Sequence, residues 1–483
     1  MSVAVIAGAA QIVQRPHDVD LAAARGPIEL MVDAARAAAE DAGAPALLQR
    51  LGWIGVAGGW FRHRNPAQLV GERIGSPGAR TALTTISGTA PQDLLGLAAE
   101  RISNGELDVA LVVGGEARWS YQRLKRSGER PSWTTEEGDG LPETLPGFPS
   151  DLLEETRALG STTAAYALFD DSMRRARGET VDDRRDRVAA LWARFSAVAA
   201  ENPYAWDRTP KTATEVREAS ATNRMISFPY TKAMVANNSV DMSSALLLCS
   251  VDAALGAGVA RERLVFPHVV ASSHETWKVV SRQCLHGVPA LATAGRAALH
   301  HVGLAPDDIA HVDLYACFPA IVEMSAAALG LDTERPLTLT GGLGFAGAAI
   351  GNAVGHSIAA MVSRAREGGY GLVHGNGGNA TKHSFAVYSN EPPKAYARLD
   401  CQAMVEHHER TELPEDWTGE ASVEAATVVY DREGPSHVLA GVLSKEGARG
   451  WATSRDPHLI ATATSDGISG LRCDRSREGE LRT

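Results

Sequence analysis

Several features that would define a class of function are scarce or missing in this sequence. It has five cysteines, scattered without CxxC pairing, which argues against both a disulfide framework and a zinc site. The formal net charge of -11 lacks the basic excess that nucleic acids and anionic membranes attract. No apolar run is long enough to span a bilayer. Because the opening residues also lack a basic segment, we expect a cytoplasmic protein that binds neither nucleic acid nor membrane.

The sequence is long enough, and contains enough apolar residues, to form several domains. Its 483 residues exceed one ordinary domain, and 44% of them are hydrophobic. Strand-like and helix-like patterns alternate over 1–116 and 234–390, which is typical of a parallel α/β sheet. Residues 117–233 are more polar and richer in proline, and we interpret them as an inserted loop or cap domain. Residues 395–483, including Leu459–Thr464, alternate like strands and predict a small all-β domain of the OB type.

The two α/β regions share one arrangement. Ser87–Ala117 contains a small-residue turn, a helix, an apolar strand and a Gly-Gly pair. Gly341–Ala380 contains a glycine turn, a helix, a short strand and Gly-Asn-Gly-Gly. Duplication of one core unit is the simplest explanation, although glycine-rich turns also match by coincidence.

The main functional signal is a set of three segments that bring polar side chains and glycine turns to one end of a sheet. They are Val-Asp-Leu-Tyr-Ala-Cys-Phe-Pro at 312–319, a glycine-rich loop at 340–347, and Gly-Asn-Gly-Gly-Asn-Ala-Thr-Lys-His-Ser at 375–384. Backbone amides in such loops can form an oxyanion hole, and tight turns alone would also need the glycines. The candidate oxyanion residues are Gly341, Gly342, Gly375, Asn376, Gly377 and Gly378.

These segments, the duplicated core and the Gly-Gly-Glu run at 114–116 resemble the thiolase superfamily. Similar residues also occur at Asn202–Trp206, Phe228–Lys232 and Val240–Met242. The resemblance is to thiolase-like proteins, often called acetyl-CoA acetyltransferases and related to sterol-carrier-type thiolases, that carry an added C-terminal β domain. It implies a duplicated αβαβα core, an inserted loop domain and a homodimer. It also implies an acyl-CoA substrate, with coenzyme A as part of the substrate and neither a separate cofactor nor a metal.

The resemblance places other side chains where thiolases hold their reactive residues. Ser87 stands in place of the nucleophilic cysteine, where it would need an adjacent base, or it caps the helix that follows. Ala348 stands in place of the histidine of a Gly-His-Pro loop, and His356 lies two helical turns further on. His374 stands in place of the second reactive cysteine and can move protons near neutral pH.

Three further side chains complete the candidate catalytic set. Tyr315 takes the position of a histidine in the 312–319 segment, and its hydroxyl can donate to a thioester or β-hydroxy oxygen. Cys317 either packs as a small hydrophobe or takes part in acid/base chemistry. His383 follows the last glycine loop beside Lys382, where it acts as a base, polarises a carbonyl, or belongs to a solvated loop.

These positions favour a CoA-thioester-dependent acyltransferase of the thiolase type whose chemistry is altered by the missing cysteine. A retro-aldol or retro-Claisen lyase stays open, because it needs only an oxyanion hole and a base. The third possibility is a catalytically silent scaffold that binds acyl-CoA. Nucleotide hydrolysis is not supported, because no GxxxxGK[ST] motif is present.

Overall fold

The computed structural model describes residues 2–148, 158–406 and 409–483, so residues 149–157 of the predicted loop domain lie outside the described residues. The strands are β1 (Ala4–Val13), β2 (Trp53–Val56), β3 (Arg80–Leu83), β4 (Val109–Ala117), β5 (Glu143–Thr144), β6 (Met225–Ser227), β7 (Tyr230–Thr231), β8 (Asp241–Ser250), β9 (Phe266–His274), β10 (Ile309–Asp313), β11 (Tyr370–Gly377), β12 (Lys382–Ser389), β13 (Ala397–Asp400), β14 (Gly419–Tyr430), β15 (Pro435–Ser444), β16 (Arg449–Ser454), β17 (Arg472–Arg475) and β18 (Leu481–Arg482). The helices are α1 (Pro27–Asp41), α2 (Pro66–Ile74), α3 (Ala90–Ser103), α4 (Arg118–Ser127), α5 (Thr162–Arg177), α6 (Val181–Glu201), α7 (Ala213–Arg217), α8 (Val251–Gly256), α9 (Pro289–Val302), α10 (Pro319–Leu329), α11 (Ala353–Glu367) and α12 (Pro457–Ser465).

Two sheets of related topology form the core, which confirms the predicted duplication. The first has the strand order β1-β8-β4-β2-β3-β5, and the second has the order β10-β11-β12-β9-β13. In each half the first strand pairs antiparallel with the last, as β1 with β8 and β9 with β12. On its other side the last strand also has an antiparallel neighbour, which is β4 for β8 and β11 for β12. That strand pairs parallel with β2 in the first half and with β10 in the second.

Alternation of side chains along the strands builds the five layers of the αβαβα core. On β4, Val109, Leu111 and Val113 pack with α1 and α2 on the outer face, whereas Ala110 and Val112 pack with α3 and α11. Helices α3 and α11 also pack on the second sheet, so they form the middle layer. Helices α9 and α10 cover the other face of that sheet. The C-terminal end of β11 and the start of α3 therefore meet inside the molecule.

A buried ion cluster connects the inserted helices to the core. The Arg184 guanidinium on α6 donates from Nε to Asp170 Oδ2 on α5 at 2.9 Å and from Nη1 to Glu323 Oε2 on α10 at 2.5 Å. The side chains of all three residues are 1% exposed. Tyr230 donates its hydroxyl to Asp170 Oδ1 at 2.9 Å, and Arg177 and Arg187 also donate to the Glu323 carboxylate. Because these charges are buried, they are stable only as a set, and they fix α5 and α6 against α10.

The C-terminal region is rich in strands, as predicted, but it also contains a helix. Its sheet has the order β16-β15-β14-β17-β18, and β6 of the inserted segment pairs with β14. Leu459–Thr464, expected as a strand, lies in α12 instead. Asp456 caps this helix by accepting the His458 N–H at 2.9 Å, and Pro457 occupies its first turn. Strand β13, which lies within the region predicted as the C-terminal domain, pairs with β9 and extends the second core sheet.

Within the described residues, no helix combines the length and apolar character needed to cross a membrane. The same part of the chain holds no group of three or more His, Cys, Asp or Glu side chains arranged to bind a metal ion.

Candidate functional site

A cavity of about 480 Å³ lies where the start of α3 meets the glycine loop after β11. Four short segments supply most of its lining, namely 86–88, 315–318, 348–351 and 376–379. Residues at the start of α5 complete the wall, so the inserted segment contributes to the site. Three of the four segments come from the second half of the core and one from the first. The cavity therefore depends on the packing of the two halves.

Ser87 and Gly88 contact the glycine loop across the cavity at very short range. A Cβ atom on Gly377 would lie 2.6 Å from Ser87 Oγ. On Gly88, a Cβ atom would lie 2.0 Å from the carbonyl oxygen of Asn376. Gly88 requires glycine because the opposing backbone occupies the space of a side chain, whereas a Cβ on Gly377 would displace the Ser87 hydroxyl.

Hydrogen bonds fix the Ser87 hydroxyl at the start of α3. Its Oγ lies 2.9 Å from Thr89 Oγ1 and accepts the Thr89 N–H at 3.2 Å. Thr89 Oγ1 in turn donates to Asp93 Oδ2 at 2.8 Å, and Lys382 Nζ lies 3.5 Å from the same carboxylate oxygen. Ser87 thus both satisfies a helix-terminal amide and lines the cavity. Sequence reasoning did not identify Thr89 or Asp93 as site residues, although both lie within six residues of Ser87 on a recognisable helix start.

Tyr315 and Cys317 reach the cavity from the segment that joins β10 to α10. A Cβ on Gly88 would lie 2.6 Å from the Tyr315 hydroxyl, which places that hydroxyl beside the Ser87–Gly88 segment. Burial raises the pKa of Tyr315 above its ordinary value and raises the pKa of the Cys317 thiol to about 12. At neutral pH, Cys317 is therefore a thiol rather than a thiolate, and Tyr315 is a neutral phenol that can donate a hydrogen bond.

Tyr166 on α5 holds the glycine loop in place and was not predicted from the sequence. Its hydroxyl accepts from Asn376 Nδ2 at 2.8 Å and from the Ala380 N–H at 2.9 Å, and it donates to the Gly378 carbonyl at 3.2 Å. Burial raises the pKa of Tyr166 well above its ordinary value, so the hydroxyl keeps its proton. No sequence signal predicts this contact, because Tyr166 and Asn376 are separated by 210 positions and an apolar helix face explains the tyrosine equally well.

His374 and His383 form a buried pair on the face of the second sheet that points away from Ser87. Successive residues of a strand face opposite sides, so Gly377 on β11 faces Ser87 and His374 faces α10. His374 Nε2 lies 3.4 Å from His383 Nδ1, and His374 Nδ1 lies 3.2 Å from Ser325 Oγ on α10. Burial lowers the pKa of His374 well below its ordinary value and that of His383 to about 3, so both imidazoles are neutral.

His356 lies one turn into α11 and points away from the cavity lining. Its Nδ1 lies 2.9 Å from Gln11 Oε1 on β1, while its Nε2 is buried without a hydrogen-bond partner. Burial lowers the pKa of His356 to about 4. Ala348, the residue in the position of the thiolase loop histidine, does line the cavity.

Gly341 and Gly342 lie against the inserted helix α6 rather than along the cavity. A Cβ on Gly341 would lie 2.4 Å from the Ala199 amide nitrogen, and one on Gly342 would lie 2.9 Å from Phe195 Cδ2. The buried Asp313 carboxylate orders this loop by accepting the Leu339 N–H at 2.7 Å and the Thr340 N–H at 3.0 Å. The loop therefore positions the insertion.

The structure brings together only part of the candidate set. The cavity lining includes Ser87, Tyr315, Cys317, Asn376, Gly377 and Gly378, and Gly375 packs directly against the Gly88 carbonyl. Among the described residues, the lining supplies hydroxyl, thiol and amide groups but no imidazole, carboxylate or ammonium group. Such a site can bind and polarise a carbonyl, and the hydroxyls of Ser87 and Tyr166 in its lining are oriented by hydrogen bonds.

The C-terminal residues match a described family. Residues 400–480 match the additional C-terminal domain of thiolase-like protein type 1. No curated protein matches the chain.

Solved structures resemble nearly the whole chain. The SCP2-thiolase-like protein type 1 from Mycobacterium smegmatis is 29% identical, with a TM-score of 0.83, and the match covers 99% of this chain and 98% of that one. An acetyl-CoA acetyltransferase from Syntrophomonas wolfei is 17% identical, with a TM-score of 0.56 and coverage of 81% and 100%. The Ltp2-ChsH2(DUF35) aldolase is 18% identical, with a TM-score of 0.59 and coverage of 80% and 98%.

The homodimer implied by the sequence resemblance is not supported. The 29% identical protein from Mycobacterium smegmatis is described as monomeric. An exposed edge strand is a common means of pairing two copies of a chain. In this chain β5 pairs with β3 and covers that edge of the first sheet, and Arg101 anchors β5 by donating to Glu143 Oε1 at 2.7 Å.

Proposed function

We propose that this chain, a thiolase-like protein with an additional C-terminal domain, binds an acyl-CoA thioester in the cavity at Ser87 and transfers the acyl group through that hydroxyl. The observation that carries the proposal is the placement of Ser87, which lines the cavity opposite Gly377 and is held by Thr89. Ser87 Oγ attacks the thioester carbonyl, the carbon–sulfur bond breaks, and coenzyme A leaves as the thiol. Water or an acceptor then takes the acyl group from the serine ester.

A serine nucleophile agrees better with this site than a cysteine. Cys317 is the cysteine in the lining, and burial raises the pKa of its thiol to about 12. Because the thiolate is the reactive form of cysteine, Cys317 at neutral pH is a poor nucleophile. A hydroxyl, by contrast, reacts as the neutral group while a neighbour accepts its proton.

The start of α3 favours the negative charge that develops on the thioester oxygen. This 14-residue helix directs the positive end of its dipole at the cavity beside Ser87. The backbone of Gly377 and Gly378 borders the same space, and Tyr166 holds that loop rigid. Preorganised dipoles of this kind stabilise an oxyanion without reorganising during the reaction.

Retro-aldol cleavage of a β-hydroxyacyl-CoA is a second candidate function. Tyr315 favours it, because its neutral hydroxyl lines the cavity and can donate to a thioester or β-hydroxy oxygen. The similar Ltp2-ChsH2(DUF35) protein is called an aldolase. Retro-aldol and Claisen chemistry both also need a base, and the described lining holds no imidazole or carboxylate, so both are less well supported than acyl transfer.

Mass spectrometry with matched variants tests the proposal. The purified protein is incubated with acetyl-CoA, hexanoyl-CoA and a β-hydroxyacyl-CoA, while released thiol and intact protein mass are followed. We expect thiol release and an acyl adduct on Ser87 that resists neutral hydroxylamine, as an ester does and a thioester does not. Ser87→Ala removes both signals, and Cys317→Ala, the matched control at the same cavity, retains them.

Other outcomes separate the alternatives. An adduct that persists in Ser87→Ala but is lost in Cys317→Ala contradicts the serine route. Release of an aldehyde or ketone from the β-hydroxyacyl-CoA, without an adduct, identifies the retro-aldol reaction. Binding of every thioester without turnover identifies a silent acyl-CoA-binding protein.

A further inference from the structure

The hydrogen bonds around Ser87 have a defined direction. A carboxylate only accepts hydrogen bonds, so the Thr89 hydroxyl must donate its proton to Asp93 Oδ2, which lies 2.8 Å away. The Thr89 oxygen is then left as an acceptor for its other neighbour. The Ser87 hydroxyl, 2.9 Å away, must therefore donate its proton to Thr89 Oγ1. The chain of donors runs from Ser87 through Thr89 to Asp93.

This direction leaves one lone pair of Ser87 for the cavity. A serine oxygen has one proton and two lone pairs. The proton is directed to Thr89 Oγ1, and one lone pair accepts the Thr89 N–H at 3.2 Å. The second lone pair remains for the cavity that Ser87 lines. A hydroxyl arranged in this way presents its nucleophilic electron pair to a ligand and its proton to a neighbour.

The local fold explains why these residues meet. Thr89 precedes the first residue of α3, and Asp93 lies four positions later, so both are on one face of the first turn. An acidic side chain is favoured there by the helix dipole. Lys382 on β12 pairs with the same carboxylate oxygen, with Nζ 3.5 Å from Oδ2 and 5.6 Å from the centre of the Phe148 ring.

We infer that Thr89 and Asp93 are positioning residues that draw the Ser87 proton away from the cavity and make this hydroxyl nucleophilic. The inference rests on the proposed function, because acyl transfer is the reaction in which Ser87 acts as the nucleophile. As the Ser87 oxygen bonds to the thioester carbon, its proton passes to Thr89 while the Thr89 proton passes to Asp93. The carbon–sulfur bond then breaks, the leaving thiolate takes a proton from water, and Asp93 releases the proton that came from Ser87 to water.

Four variants separate this role from helix capping. Thr89→Val keeps the shape and removes the hydroxyl, Thr89→Ser restores the hydroxyl, and Asp93→Asn removes the final acceptor charge. Glu100→Gln removes a charge from the far end of the same helix and is the matched control. The measurements are the rate of Ser87 acylation by acetyl-CoA, the dissociation constant of coenzyme A, and thermal stability.

We expect Thr89→Val and Asp93→Asn to slow acylation by about 10²-fold, while coenzyme A binding changes by less than about twofold. Thr89→Ser returns the rate to within about fivefold of the native protein, because its hydroxyl rebuilds the chain. A purely structural cap would lower stability and binding together. Full acylation in Thr89→Val overturns the inference and leaves the proposed acyl transfer intact.

A second probe, a fluorophosphonate, tests the reactivity of the Ser87 hydroxyl without an acyl-CoA. A fluorophosphonate forms an oxygen–phosphorus bond with an activated serine and releases fluoride together with the serine proton. Labelling of Ser87 that slows in Thr89→Val and recovers in Thr89→Ser supports the inference even where no thioester reacts. A native protein whose Ser87 is not labelled overturns it.

Discussion

At the scale of single residues, the cavity depends on the absence of a side chain at Gly377. A methyl group there would lie 2.6 Å from Ser87 Oγ and 3.0 Å from Phe148 Cζ. We expect Gly377→Ala to displace both groups, to weaken coenzyme A binding by about tenfold or more, and to cost about 1–3 kcal/mol of folding free energy. Isothermal titration with coenzyme A and urea unfolding measure the two effects.

Gly78→Ala is the matched control for this prediction. Gly78 is exposed, and a Cβ atom there meets no other atom within 4 Å. It should leave both binding and stability within about 0.5 kcal/mol of the native protein. Native affinity in Gly377→Ala would show that the ligand does not occupy the space beside Ser87.

Buried histidines make folding stability depend on pH. Burial lowers the pKa of His356 to about 4, whereas an unfolded imidazole titrates near 6.5. Below that value the unfolded chain binds protons that the folded chain excludes, so stability falls as the pH falls. We expect His356→Gln to reduce the loss of unfolding free energy between about pH 7 and pH 5 by about 2 kcal/mol. Urea unfolding at both pH values measures it.

Comparing the native protein with His356→Gln separates the contribution of His356 from those of groups whose effect on stability has the opposite pH dependence. Burial raises the pKa of Glu116 to about 7, so its contribution to stability is lost as the pH rises, and it is common to both proteins. His17, whose side chain is 75% exposed, provides the control. An equal effect of His356→Gln and His17→Gln on the pH dependence would contradict the assignment.

At the scale of elements, the ion cluster joins the inserted helices α5 and α6 to α10. Arg184→Leu leaves the buried Asp170 carboxylate without its cation, whereas Glu323 keeps Arg177 and Arg187. We expect this substitution to cost about 3–5 kcal/mol of unfolding free energy. Arg194→Leu, on the same helix, breaks a pair with Glu334 whose side chains are 42% and 74% exposed, and it should cost less than about 1 kcal/mol. Similar losses in the two variants would argue that burial does not govern these pairs.

Element type was predictable wherever the local pattern was long and periodic. The amphipathic pattern of the sequence predicts a helix at Pro27–Ala42, and the structure has it at Pro27–Asp41. The pattern also predicts a helix at Gln92–Ser103, and the structure has it at Ala90–Ser103. The exception is α12, because its short apolar run at Leu459–Thr464 fits a strand as well as a helix. The Asp-Pro pair at 456–457, a helix-start signal, would have resolved it.

At the scale of the whole molecule, we expect a monomer. Strand β5 pairs with β3 and covers that edge of the first sheet. Size-exclusion chromatography with light scattering should give a mass near 51.0 kDa at micromolar concentration. A stable species of twice that mass would contradict the prediction and would restore the dimer that the resemblance implied.

The sequence by itself determined the duplicated core and the strand-rich C-terminal region, because periodicity and glycine spacing are local properties of a chain. Of the two glycine turns that it singled out, the one at 375–378 borders the cavity and the one at 341–342 does not. Tertiary structure decided which side chains share the site. Strand alternation turns His374 away from Ser87, and Tyr166 reaches the glycine loop from a helix 210 positions earlier in the chain. As a nucleophile, Ser87 needs a neighbouring group that accepts its proton. That group was identified only from the hydrogen bonds that join Ser87 to Thr89 and Thr89 to Asp93. Contacts between distant segments and the direction of donors depend on three-dimensional packing, which no local pattern specifies.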